Sequence, residues 1–191
     1  MWSRFWQDQG LRNSEVAYRK GVRHADQLDE LTAALANPTL KVAGIVVDTV
    51  DEIVHGAVLG KRGIASQIAH WYESGFVERL FSLLLDRGFH VYVTADHGNV
   101  DAVGAGRPSQ GVIAETRGER VRIYRSEVLV TESQAAISGS VGLRIAGLPA
   151  DFFPLFAGQR TAFATPEERL VVHGGLSVEE LIVPFVKVTV I

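Results

Sequence analysis

Two short, almost uninterrupted apolar runs, each ending on acidic or histidine residues, constrain this chain more than any other feature. Leu40 to Val47 and Phe89 to Thr94 are rich in β-branched and aromatic residues, the pattern of buried strands. Between them Ile68, Trp71, Tyr72, Val77, Leu80, Phe81, Leu84 and Leu85 recur at helical spacing. Ser66 is a candidate N-cap and Gly88 a stop, so one long helix is predicted over 66–87. Strand, helix and strand predict a βαβ unit, whose right-handed crossover places both strand C-termini on one edge of a parallel sheet. Ligand sites in open α/β sheets form on that edge. Asp48 and Asp51 follow the first run, and Asp96 and His97 the second.

The remaining pattern is less regular. Residues 1–38 are mostly helical in pattern; Leu28, Leu31, Ala34 and Leu35 share a face, and Asn37-Pro38 ends it. Two tryptophans and a phenylalanine crowd the first six residues, with no strand expected beside them, which reads as an excerpt of a longer chain. Residues 98–111 read as glycine-rich loop. Short strands are predicted at Val121–Tyr124, Val128–Val130, Leu143–Ile145, Arg160–Ala164 and Val183–Ile191. With no repeat or linker, the simplest architecture is one layered α/β/α domain, with residues 1–38 set apart from 39–191.

Composition excludes several function classes. The formal net charge of −3 offers no broad basic field for nucleic acid or an anionic membrane. No apolar run approaches membrane-spanning length, and the N-terminus lacks a secretory apolar region, so a cytoplasmic protein is expected. With 0 cysteines, any metal must sit on His, Asp or Glu.

Three clusters supply such ligands. Asp51 and His55 are four apart and share a face if that stretch is a helical turn, although taken alone a solvated turn after a strand is the simpler explanation. Asp96-His97-Gly98-Asn99 directly follows a strand, at a glycine that lets backbone approach closely. His173 precedes Gly174-Gly175, and Ser177 with Glu180 three later forms a capping box that starts a short helix. Together the clusters offer five ligands of types suited to Zn²⁺, Mn²⁺ or Mg²⁺.

Thr94-Ala95-Asp96-His97-Gly98-Asn99 resembles the DHG(N) motif of the alkaline phosphatase superfamily, as in the cofactor-independent phosphoglycerate mutases. Asp51 and His55 resemble that superfamily's D-x-x-x-H pair, and His173 its last histidine ligand. The nearer resemblance is to the PglZ domain of bacterial phage-defence (phage growth limitation, or BREX) systems. Three stretches carry it: Asp96 to Asn99 with Gly104-Ala105-Gly106-Arg107-Pro108; Arg117-Gly118-Glu119-Arg120-Val121-Arg122-Ile123-Tyr124; and His173 to Glu180 running into Val183-Pro184. The likeness spans roughly residues 40 to 191.

The resemblance implies an alkaline-phosphatase-like α/β/α domain with a mostly parallel central sheet, lacking its N-terminal strands. Residues 1–38 would be the helical tail of an insertion (cap) region. It also implies a metal-dependent phosphohydrolase, of phosphatase or phosphodiesterase type. One cation goes to Asp51, His55 and His173, and the other to Asp96 and His97. The family's second centre needs an additional Asp and a Ser or Thr nucleophile from an earlier strand, and nothing upstream of Asp51 resembles either. Thr49 and Ser109 do not occupy the nucleophile's position. No catalytic residue is therefore assigned, and the chain is expected to bind metal better than it catalyses. The implied partners are a phosphoryl-containing substrate and other defence-system proteins. Two alternatives stay open: a non-catalytic scaffold of a defence complex, or part of a mutase or sulfatase relative.

Weaker candidates complete the reading. Arg117 and Arg120 suit a phosphate contact, or simply a charged hairpin turn. Gly104 to Pro108 lacks the lysine and following helix of a nucleotide cradle. Asp48 and Asp101 are candidate acceptors for ligand histidines, or surface acids. His24, His70 and His90 fit no motif.

Overall fold

A computed structural model of the chain describes residues 1–24, 26–56, 60–108 and 119–189. They belong to two units, the first of residues 1–57, 62–91 and 188–191, the second of residues 58–61 and 92–187.

The first unit opens with α1 (Trp2–Asp8), followed by β1 (Val16–Arg19), α2 (Gln27–Leu35) and β2 (Val42–Ile45). β1 and β2 pair in parallel, Val16 opposite Val42 and Arg19 opposite Ile45. A strand–helix–strand element with parallel strands is thus present, one step earlier in the chain than predicted. Residues 1–38 hold α1 and α2, but under half of them are α-helical, and the helical reading omits β1. Its four residues, Val-Ala-Tyr-Arg, sit among polar neighbours and give no apolar run to detect. α1 lies against this pair: Trp2 Nε1 donates to the Ala17 carbonyl at 3.0 Å, and the indole packs on Gly44.

Glu15, buried just before β1, accepts from Arg12 Nε at 3.1 Å and from the Arg12 amide at 2.8 Å, and lies 2.6 Å from Lys41 Nζ. Hydrogen bonds from Arg12 and Lys41 hold its carboxyl at about 2, against an opposing push from burial.

The first unit also holds three further helices, α3 (Thr49–His55), α4 (Gly60–Glu73, its first two residues in the second unit) and α5 (Phe76–Leu85). The single helix predicted over 66–87 is in fact two. It begins at Gly60, not Ser66, and is interrupted at Gly75, whose φ of +73° cannot continue a right-handed helix. Leu28, Leu31 and Leu35 of α2 form the core with Phe76, Leu80 and Leu84 of α5 and with Val91. Repetition at three- and four-residue intervals puts each leucine set on one helix face, and burying those faces is the main stabilising contribution here.

The second unit holds β3 (Val91–Thr94, its first residue in the first unit), β4 (Val100–Gly104), β5 (Val121–Tyr124), α6 (Glu127–Ala136), β6 (Val141–Gly142), β7 (Phe153–Phe156), β8 (Thr161–Ala162), β9 (Arg169–Val172), α7 (Val178–Leu181) and β10 (Phe185–Val188). β3 pairs with β10, so the partner of β3 comes from the chain's end, whereas β2 pairs with β1. β4 lies between β8, parallel to it, and β9, antiparallel to it. β7 lies between β5 and β6, antiparallel to both. The fold is therefore mixed α/β, with strands paired in both directions in several small sheets.

β5 coincides with the predicted strand. Val128–Val130, predicted as a strand, lies inside α6: Ser126 has the extended backbone of an N-cap, and Val130 and Ser133 point into the unit. Residues 100–104, read as loop, form β4, where Val100, Ala102 and Gly104 alternate with half-buried positions. The glycine and aspartate there mask the alternation in sequence. Val100, Ala102, Ala162, Ala164 and Val172 make a tight small-residue core between β4, β8 and β9. No helix among the described residues is long and apolar enough to cross a membrane.

Candidate metal centre

The antiparallel pairing of β4 with β9 joins two of the three predicted clusters. Asp96-His97-Gly98-Asn99 leads into β4 and His173 follows β9, and the register sets Val100 opposite Val172. Continuing that ladder by one position brings the residues before Val100 alongside those after Val172. His97 and His173 accordingly stack, with ring centroids 3.8 Å apart and planes 13° from parallel.

Backbone contacts pin the same two turns. The Gly98 amide donates to the Glu180 carbonyl of α7 at 2.9 Å. Gly98 also lies so close to the Glu179 carbonyl that a Cβ there would overlap its oxygen. Only glycine permits that approach.

Local bonds orient His97. Its amide donates to Asp96 Oδ1 at 3.1 Å, and its Nδ1 lies 3.2 Å from the Gly98 carbonyl oxygen. A carbonyl only accepts, so Nδ1 donates in this contact, and in the neutral ring the lone pair is then on Nε2. Nε2 is 3.8 Å from Asp96 Oδ1, in a half-exposed position. Two residues along the chain, Asn99 Oδ1 is buried without a hydrogen-bond partner among the described residues.

Asp51 and His55 belong to the first unit, four residues apart on α3. Asp51 is exposed. Asp48, a candidate acceptor for a ligand histidine, instead lies 3.4 Å from Arg23, which also pairs with Glu52 at 2.8 Å. Among the described residues, no group of three His, Asp or Glu is gathered as a ready chelate. The upstream strand β1 ends at Arg19, followed by Lys20, with neither an Asp nor a Ser or Thr at its C-terminal end.

The family model of the BREX system PglZ alkaline phosphatase-like domain matches residues 1–188. The chain belongs to the PglZ family. The match takes in residues 1–38 as well as the motif-bearing stretch from about residue 40. Among curated proteins, none matches the chain.

This PglZ chain also buries an ion pair that its sequence pattern does not predict. Arg120, expected in a charged hairpin or on a phosphate, is buried with Glu180, each side chain 1% exposed. Arg120 Nε donates to Glu180 Oε1 and Nη2 to Oε2, both at 2.9 Å, and Nη1 donates to the Thr161 carbonyl. Glu180 Oε1 further accepts the Gly175 amide at 2.8 Å, and Oε2 the Ser177 amide at 3.2 Å, the carboxylate half of the predicted capping box. Burial pushes this carboxyl upward, but the Arg120 and backbone hydrogen bonds outweigh it and hold it at about 2. No sequence signal links residues 60 positions apart; the only hint was a glutamate at the third helical position. Arg117, Gly118 and Ser109, also named from sequence, lie outside the described residues.

Proposed function

We propose that this PglZ-family chain carries the metal-binding part of a phosphohydrolase-type centre, of phosphatase or phosphodiesterase class, in a phage-defence protein. The observation that carries the reading is the His97–His173 stack. Imidazole lone pairs lie in the ring plane, so two nearly parallel rings 3.8 Å apart do not converge on one ion. Each ring suits a separate cation, and two-metal hydrolase centres hold theirs about 3.5–4 Å apart. The orphaned Asn99 Oδ1, two residues along the chain from His97, adds an acceptor without a partner.

In this reading Asp96 joins His97 on one cation, and His173 serves the other. Zn²⁺ is the first choice for two imidazoles, with Mn²⁺ or Mg²⁺ as alternatives. Cations held there would neutralise phosphoryl oxygens and lower the pKa of an attacking hydroxyl. The chain's own contribution is to present Nε2 of His97 by tying Nδ1 to the Gly98 carbonyl, an outer bond of the type that fixes metal-ligating histidines. No nucleophile is assigned, since β1 ends on Arg19-Lys20. The family fold, three α/β/α layers around a mostly parallel sheet, belongs to the same proposal, as does a cytoplasmic location.

The test is metal content by mass spectrometry on the chain and on His173→Ala and Asp96→Ala, with turnover of a phosphodiester followed in parallel. Near-stoichiometric Zn²⁺ without turnover in the unaltered chain, reduced in both variants, is expected. Metal content indifferent to both substitutions sinks the proposal. A second reading, a scaffold without metal, draws on the lack of a gathered three-ligand group among the described residues; an unaltered chain that binds no cation selects it.

A further inference from the structure

Glu180 touches both histidine-bearing turns at once. Its carboxylate accepts the amides of Gly175 and Ser177, which lie in the turn that follows His173. Its main-chain carbonyl accepts the amide of Gly98, next to His97. Arg120 fills the remaining acceptor sites of the carboxylate and is itself anchored on the Thr161 carbonyl of β8. All four lone-pair directions of the carboxylate are thereby used, two by Arg120 and two by backbone.

A one-turn helix needs much less than this. A solvated glutamate satisfies a capping box, and a buried ion pair is weak evidence for stability, because an apolar pair of similar volume often does as well. An apolar pair cannot accept the Gly175 and Ser177 amides, however. Packing around Gly175 is equally specific: a Cβ there would sit 2.7 Å from Arg120 Nε and from Glu180 Oε2.

We propose that Arg120 and Glu180 are positioning residues, a buried pair that sets the turn after His173 against the turn of His97 and so maintains the His97–His173 stack. The consequence for metal rests on the two-cation reading above; the consequence for the stack does not.

The experiment uses the full chain with labelled histidines, and follows the ring-to-ring nuclear Overhauser effect between His97 and His173 in metal-free buffer. Zn²⁺ affinity is measured separately by chelator competition. The paired variant R120M/E180M replaces the ion pair by side chains of similar length, and a cooperative unfolding transition shows that it folds. E180Q keeps shape and tests the same point should the paired variant fail to fold, because its amide group can no longer accept from both Arg120 and Ser177. Loss of the ring-to-ring signal in a folded variant, with Zn²⁺ affinity down about 10–100-fold, is expected. A folded variant that keeps the unaltered signal and affinity overturns the proposal. A lost signal in a chain that binds no Zn²⁺ even unaltered supports the positioning role and overturns the metal reading instead.

Discussion

The amide of Gly98 donates to the carbonyl of Glu180 at 2.9 Å, with the neighbouring Glu179 carbonyl packed directly over the glycine Cα. This contact clamps the loop before β4 onto α7. Gly98→Ala must move α7 or the loop, because the steric conflict is with backbone and no rotamer relieves it. A loss of about 2–4 kcal/mol in urea unfolding is expected, typical of enforced backbone shifts in a packed site, together with loss of the His97–His173 ring contact. An unchanged unfolding midpoint would show that the loop yields freely.

Arg120→Ala leaves the Glu180 carboxylate buried without its cation. Breaking a buried pair from one side costs about 3–5 kcal/mol. The apolar replacement of both partners should recover only the part due to the stranded charge, because it leaves the Gly175 and Ser177 amides without their acceptor. Chemical denaturation of the single and paired variants measures the difference; equal destabilisation of both argues against a desolvated ion pair.

Acid should act through Glu15 and Glu180, each lowered from 4.5 to about 2 in the folded chain. The unfolded state binds more protons than the folded state between these values, so stability rises with pH across the window. Their contribution is complete above the unfolded pKa of 4.5 and is lost as pH falls towards 2. Urea midpoints measured from pH 6 downwards, at ~0.5-unit steps, should fall most steeply there. E15Q and E180Q should each flatten that part of the profile and leave the slope above pH 5, roughly, unaltered.

Trp2 ties α1 to the β1–β2 pair through the Ala17 carbonyl and Gly44. Trp2→Ala should cost about 2 kcal/mol, below the range for wholly buried tryptophans because the ring is half exposed. Thermal unfolding monitored by far-ultraviolet circular dichroism checks it. Trp2→Phe should recover the packing but not the hydrogen bond, and so fall between the two.

Some elements were legible because one local pattern decides them. β5 follows from its own four residues, β2 and β3 from apolar runs, and α2 from leucines on one face. β1 and β4 were not, because Val-Ala-Tyr-Arg and Val-Asp-Ala-Val-Gly become strands only when a partner supplies the ladder. Val128–Val130 shows the reverse error: β-branched residues favour strands, yet the Ser126 cap and burial of one face make a helix.

The candidate site divides along the same line. Residue types and motif order alone named Asp51, His55, Asp96, His97 and His173 and led to the family. Which of them meet was a tertiary matter: the β4–β9 register brings His97 onto His173, and the unforeseen Arg120–Glu180 pair braces their turns. Ligand chemistry is a property of single side chains and can be read one residue at a time. Contact between distant turns depends on strand pairing and burial, which no single stretch of sequence encodes.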